Sequence, residues 1–149
     1  MPPLGVDRHV AIFVDPGHGG VDPGALGETT AGAQVQEKDV TLATGLRLMH
    51  RLQNDGYAVL MSRTSDSTVA DLGPDDSDAN GFTATGEHRE TAARVQCANS
   101  GHAQLLIAIH LNSFTYPSVG GAETIYDSER PFSGDNARFA GLVLSLIHI

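Results

Sequence analysis

The sequence predicts an α/β domain: a mostly parallel mixed sheet flanked by helices on both faces. Three observations predict it. Apolar runs of five residues recur at 10–14, 57–61 and 105–109, the pattern of strands buried on both faces. Stretches with apolar residues at helical spacing separate and follow them. Strand, helix, strand in that order implies a right-handed crossover and a parallel pair.

Each element has its own signal. The first run, Val10-Ala11-Ile12-Phe13-Val14, ends at Asp15-Pro16-Gly17, where a strand meets a loop. Residues 16–36 hold six glycines and few apolar anchors, so a long loop is expected. From Asp39, apolar residues Val40, Ala43, Leu46, Met49 and Leu52 mark a helix, with Asp39 as its cap and Gly56 in the left-handed stop. The second strand, 57–61, follows. Residues 64–86 are polar and rich in Asp, Ser, Thr and Gly, hence a loop. A second helix is expected from Glu87 to Ser100 with Gly101 as its stop, then the third strand ending at His110. A fourth strand is expected at 121–126. From Asp135, residues Ala137, Ala140, Val143 and Leu144 mark a helix that the chain's end interrupts.

Composition narrows the function. The 149 residues carry 9 Lys+Arg against 18 Asp+Glu, a net charge of −9. That balance excludes a nucleic-acid partner, which needs cations to neutralise phosphates, and a polybasic membrane patch. The single cysteine, Cys97, excludes an internal disulfide and a cysteine-rich metal site. No run reaches the ~18 apolar residues of a membrane span. No basic region followed by an apolar stretch opens the chain, so no signal peptide is expected within it.

In open parallel sheets, sites form beyond the carboxyl ends of the strands. His18 follows the first strand in Asp15-Pro16-Gly17-His18-Gly19-Gly20, and His110 ends the third in Ile109-His110-Leu111-Asn112-Ser113. Glu37 opens the first helix. Two imidazoles and one carboxylate are a zinc set with a fourth position for water, whose pKa such an ion lowers to about 7. Spacing alone leaves other readings open. A histidine at a strand end is more often structural, and a glycine-rich loop after a strand can cradle a phosphate.

A series of motifs runs in order from about residue 10 to 143: 14–25 (VDPGHGGVDPGA), 37–43 (EKDVTLA), 62–64 (SRT), Arg94 with Ala98-Asn99, 108–113 (AIHLNS) and 121–124 (GAET). In these the chain resembles the zinc-dependent N-acetylmuramoyl-L-alanine amidases of the amidase 3 family. The resemblance implies an α/β fold and His18, Glu37 and His110 as zinc ligands. It implies hydrolysis of the amide joining the lactyl group of muramic acid to L-alanine in peptidoglycan, hence an extracytoplasmic protein of the cell wall, periplasm or medium. The expected organisation is a 1–9 extension and an incomplete catalytic domain over 10–149, with an acidic insertion at 64–86. The family's late catalytic Glu has no counterpart here, so the chain is expected to be truncated and poorly active alone. Glu123 is a candidate substitute. Asp15 is a candidate to orient a ligand histidine. Arg63, Asn112 and Ser113 are candidate substrate-binding residues, with a purely structural pairing as the other reading of Arg63.

The acidic loop carries a second metal expectation. Asp76-Ser77-Asp78-Ala79-Asn80-Gly81, then five residues and Glu87, fits D-x-[DN]-x-[DN]-G-x₅-E. A calcium ion would take side-chain oxygens from Asp76, Asp78 and Asn80, the Phe82 carbonyl, and both Glu87 oxygens. The alternative function is a non-catalytic, zinc-containing module that binds peptidoglycan without cleaving it. A phosphate-binding domain built on the glycine-rich loop is a further rival.

Overall fold

Strand β1 (Ala11–Pro16) is the centre of a parallel three-stranded sheet ordered β4-β1-β7. The computed structural model describes residues 10–79, 81–112 and 120–147. Along the chain follow β2 (Leu26–Glu28), β3 (Gln34–Gln36), α1 (Glu37–Asn54), β4 (Ala58–Met61), β5 (Ser77–Asp78), β6 (Gly81–Phe82), α2 (Ala84–Ser100), β7 (Leu105–Ile109) and α3 (Ser133–Ile147). The chain divides into two compact units, Met1–Asn112 and Ser113–Ile149. The extension expected at 1–9 lies outside the described residues.

Register puts a helix on each face of the sheet. Phe13 pairs with Leu60 and Leu106, and Val14 with Met61 and Ile107. Because side chains alternate, Ile12, Val14, Pro16 and Met61 share one face, and Phe13, Asp15 and Leu60 the other. Helix α1 lies on the first. Gly45 comes so close that an added Cβ would sit 2.6 Å from Pro16 Cγ and 3.3 Å from Met61 Cε. Helix α2 lies on the second: its Arg94 reaches Asp15, and Gly101 just after it abuts Leu60. Ile12, Phe13 and Val14, with Pro16 at the end of β1, are accordingly deeply buried, and they form the core.

Several boundaries move, each for a local reason. Helix α1 begins at Glu37, not Asp39, and its N-cap Gln36 makes no side-chain cap bond. Loop carbonyls replace the cap: Glu37 N donates to Ala25 O at 2.9 Å and Lys38 N to Pro23 O at 3.1 Å. Helix α2 begins at Ala84, because Thr83 Oγ1 accepts from Gly86 N. Gly56 does take the left-handed position after α1, with φ +93°. After α2 that position falls to His102 (φ +52°), and Gly101 is conventional (φ −80°). In both cases the two residues beyond the cap donate back to the helix, Gly56 to Gln53 O and Tyr57 to Leu52 O, His102 to Asn99 O and Ala103 to Ala98 O.

The two expected loops are partly ordered. The 16–36 loop contains the β2–β3 antiparallel hairpin. The 64–86 segment is pinned by buried groups and carries the short β5–β6 pair. Val69 N and Ala70 N both donate to the Glu90 carboxylate, and Asp76 is 2% exposed. The fourth strand expected at 121–126 does not form. That stretch is irregular, Ile125 is 83% exposed, and no described strand pairs with it. In the same unit, Thr124 Oγ1 donates to Ala140 O of α3 at 3.0 Å.

Candidate metal centre

The site stands at the carboxyl ends of β1 and β7 and the amino end of α1. Pro16 ends β1, and Gly17 N closes onto Ile109 O at 2.9 Å, which brings the loops after β1 and β7 side by side. The chain then turns through left-handed backbone at His18 (φ +61°). A non-glycine residue there is strained, and such strain collects where surrounding structure fixes a functional side chain.

Buried polar groups hold that turn. The Arg63 guanidinium, 4% exposed, donates to Pro16 O, Gly17 O, Lys38 O and Ser65 O and to Thr41 Oγ1. Thr41, fully buried in α1, donates to Gly17 O at 2.8 Å. Burial first, then the nearby Arg94 charge, lowers the Arg63 pKa from its usual value. On the other side of the sheet, Arg94 donates to Asp15 Oδ1 (2.6 Å), Glu90 Oε1 (2.7 Å), Pro16 O (2.9 Å) and His18 O (2.8 Å). Two arginines thus tie the carbonyls of residues 16–18 to both helices.

On this scaffold three ligand atoms converge. His18 Nε2 is 3.1 Å from Glu37 Oε1 and 3.2 Å from His110 Nδ1, and His110 Nδ1 is 3.3 Å from Glu37 Oε1. Tetrahedral zinc with bonds of 2.0–2.2 Å separates its ligand atoms by about 3.3–3.6 Å. The triangle is therefore one slightly contracted face of that tetrahedron, and its nitrogen and oxygen donors suit the ion.

Glu37 and His18 are each oriented by partners outside the triangle. Glu37 is buried at the start of α1, where the helix dipole favours a carboxylate. Its Oε2 accepts from Ala25 N (2.9 Å) and its Oε1 from Leu111 N (2.6 Å). Burial opposes ionisation, but these two hydrogen bonds and the two imidazoles outweigh it and hold its pKa below the usual value. His18 Nδ1 lies 2.7 Å from Asp22 Oδ2, which leaves Nε2 as the donor toward an ion. Gly17 has no room for a side chain, because a Cβ would run into the His110 ring. Gly24 (φ +65°) packs equally close beneath, with a Cβ 2.7 Å from both Glu37 Cβ and His18 Cδ2.

The three expected zinc ligands are thus brought together, and among the described residues they form a group whose atoms could hold a metal ion. Other expectations change. Asp15 does not orient a histidine, because Arg94 claims it. Asp22 takes that role, and its spacing of four from His18 was the overlooked signal. Arg63 is structural, with its guanidinium spent on carbonyls rather than facing substrate. Asn112 is exposed just past the site, and Ser113 lies outside the described residues. Glu123 is exposed in the second unit.

The calcium set is not assembled among the described residues. Asp76 Oδ2 is 2.6 Å from both Arg89 Nη1 and Gly73 N, and the Asp76 carbonyl accepts from Thr83 N. Asp78 lies in the β5–β6 pair with Phe82 opposite Ser77, Glu87 stands exposed on α2, and Asn80 lies outside the described residues. Arg89 already neutralises the carboxylate that would have anchored the ion.

A model of the N-acetylmuramoyl-L-alanine amidase family, Amidase_3, matches residues 12–148. The chain belongs to this amidase family. It is 37% identical over 115 residues to the germination-specific N-acetylmuramoyl-L-alanine amidase of Bacillus subtilis, covering 77% of this chain and 44% of that protein. It is 36% identical to the sporulation-specific amidase of the same organism, covering 80% and 41%. The chain therefore spans less than half the length of these relatives. Among solved structures, the CwlD amidase of Clostridioides difficile, determined in complex with the GerS lipoprotein, superposes with a TM-score of 0.75 at 26% identity. That match covers 93% of this chain and 64% of the other. The catalytic domain of the CwlV amidase from Bacillus (Paenibacillus) polymyxa gives 0.64 at 26% identity, covering 89% and 59%. Family membership and the parallel sheet flanked by helices agree with the expected fold. Among the described residues no helix is long and apolar enough to cross a membrane.

Proposed function

We propose that this chain carries the zinc site of a peptidoglycan amidase that hydrolyses the amide between N-acetylmuramic acid and L-alanine, acting outside the cytoplasm. The carrying observation is the His18–Glu37–His110 triangle, with edges of 3.1–3.3 Å, in a chain of the amidase family. Bound there, zinc supplies Lewis acidity and an acidified water for attack on an amide carbonyl.

The chain's own residues prepare that chemistry. Glu37 stays ionised and supplies the anionic ligand, with both oxygens positioned by backbone N–H groups. Asp22 accepts from His18 Nδ1 and so fixes the tautomer. His110 packs its ring against Gly17 and is half exposed.

The test is elemental mass spectrometry of the purified chain beside His110→Ala and Glu37→Gln, with incubation on soluble muropeptides. Stoichiometric zinc that both variants lose is expected, with new amino-terminal L-alanine released only slowly by the chain alone. Zinc without new amino termini would favour the non-catalytic binding module. A well-folded chain that takes up no zinc would overturn the reading.

A further inference from the structure

The turn that carries His18 is closed on itself: Gly19 N donates to Asp22 O at 3.0 Å and Asp22 N to Gly19 O at 3.1 Å. Gly20 lies within this turn in left-handed backbone (φ +58°). Two charged side chains take both polar groups of this one residue. Asp66 Oδ1 accepts from Gly20 N at 2.8 Å, and Lys38 Nζ donates to Gly20 O at 2.9 Å. Lys38 Nζ also donates to Asp66 Oδ2 at 2.8 Å, which closes the three residues into a ring.

The two side chains of the ring stand on anchored backbone. Lys38 directly follows the ligand Glu37 in α1, its N–H donates to Pro23 O, and its carbonyl accepts from Arg63 Nη2. The segment bearing Asp66 is held on both sides: Arg63 Nη1 donates to Ser65 O, and the Glu90 carboxylate accepts from Val69 N and Ala70 N. That segment packs tightly on the His18 turn. A Cβ on Gly19 would lie 2.5 Å from Ser67 O, and one on Gly20 would lie 2.9 Å from Thr68 N. A lysine in the first turn of a helix works against the macrodipole. The Lys38 side chain, 13% exposed, is spent on the turn instead. Asp66 is half exposed, and an ion pair at such a rim adds little to global stability. What the ring fixes is the turn that sets Asp22 against His18.

Resting on the metal-centre reading, we propose that Lys38 and Asp66 are positioning residues of that centre. By gripping Gly20 through both its amide and its carbonyl, they hold the 18–22 turn in the shape that places Asp22 on His18 Nδ1 and frees Nε2 for the ion. Neither side chain is itself a ligand.

The experiment compares the wild-type chain with Lys38→Met, Asp66→Ala, the double variant and Lys38→Arg. Three quantities are read: zinc affinity by competition with a chelator, the His18 ring-nitrogen shifts of the metal-free chain by NMR at alkaline pH, and the urea midpoint. Each single variant should bind zinc about tenfold more weakly and show a mixture of His18 tautomers where the wild type shows one. The double variant should fall within about twofold of the weaker single variant, because either change opens the same ring. Lys38→Arg, which keeps the cation, should restore most of the affinity. Wild-type affinity and a single tautomer in both single variants overturn the proposal, even if the urea midpoint falls, since that is the signature of a purely structural pair. Additive losses in the double variant overturn it too. The amidase reading fails on different evidence, namely no zinc uptake by the wild-type chain and no new amino-terminal L-alanine from muropeptides, and the nitrogen shifts of the metal-free chain then still decide this proposal.

Discussion

Asp22 Oδ2 sits 2.7 Å from His18 Nδ1 and converts a surface imidazole into an oriented donor. The contact spans four residues across a tight turn, through left-handed His18 and the positive φ of Gly19 and Gly20. A ligand histidine aimed in this way loses less freedom on binding an ion, and its Nε2 lone pair is kept available.

Replacing Asp22 by Ala should therefore weaken zinc affinity by about 10–100-fold while leaving the fold intact. Competition against a chromogenic chelator measures it. Unchanged affinity would show that the turn, and not the carboxylate, orients the ring.

Gly17→Ala should act on the same site by another route. Its backbone is ordinary, but the new methyl needs the space of the His110 ring. His110 is half exposed and can swing away, so the fold should survive with the triangle broken. A native circular-dichroism spectrum with loss of zinc is the expected pair of results. Full zinc retention would mean that the ring shifts without losing its aim.

Arg94→Met should be strongly destabilising. It leaves Asp15 and Glu90 buried beside each other without a cation, and it frees the carbonyls of Pro16 and His18. Breaking a buried ion pair from one side costs about 3–5 kcal/mol. Urea unfolding measures it, and a loss under 1 kcal/mol would refute this account of the network.

His102→Gly should stabilise. His102 is exposed and holds φ +52° after α2, a conformation glycine adopts without a Cβ penalty. A gain of about 0.5–1 kcal/mol is expected, read as a rise in Tm. Gly101→Ala, one residue earlier, should do the reverse, because its methyl collides with Leu60.

Acid should weaken the tie between the loop after β1 and the 62–66 turn. Asp66 accepts from Lys38 Nζ at 2.8 Å and from Gly20 N at 2.8 Å, and these bonds lower its pKa below the usual aspartate value. A carboxyl with a lowered folded pKa contributes stability above its unfolded pKa, and the contribution fades as pH falls through the folded value. Asp66→Asn should therefore lower the urea midpoint at pH 7, modestly because the side chain is half exposed, and the deficit should close toward pH 3. A deficit that stays constant over that range would contradict the linkage.

Much of this protein is legible along the chain. β1, β4 and β7 lie where the five-residue apolar runs are, but only β1 is buried on both faces, while β4 and β7 alternate exposed and half-buried residues. The ligand set is also local. His18, Glu37 and His110 each stand at an element's end, and parallel strands bring such ends to one edge. What the chain could not declare were choices among groups equally close in sequence. Asp15 and Asp22 flank His18 from both sides. Strand alternation turns Asp15 toward Arg94, seventy-nine positions away, and so leaves Asp22 for the imidazole. Arg63 and Thr41 look like surface polar residues until the β1 loop brings its carbonyls to them. The acidic 76–87 segment carries an ion-binding pattern, but Arg89 neutralises Asp76 first, and only packing decides that competition. The 121–126 stretch has strand-like residues but pairs with no described strand. Periodicity therefore determined the strands and helices, and the resemblance to the family pointed to the three candidate ligands. Tertiary structure decided which charges were spent on holding the site.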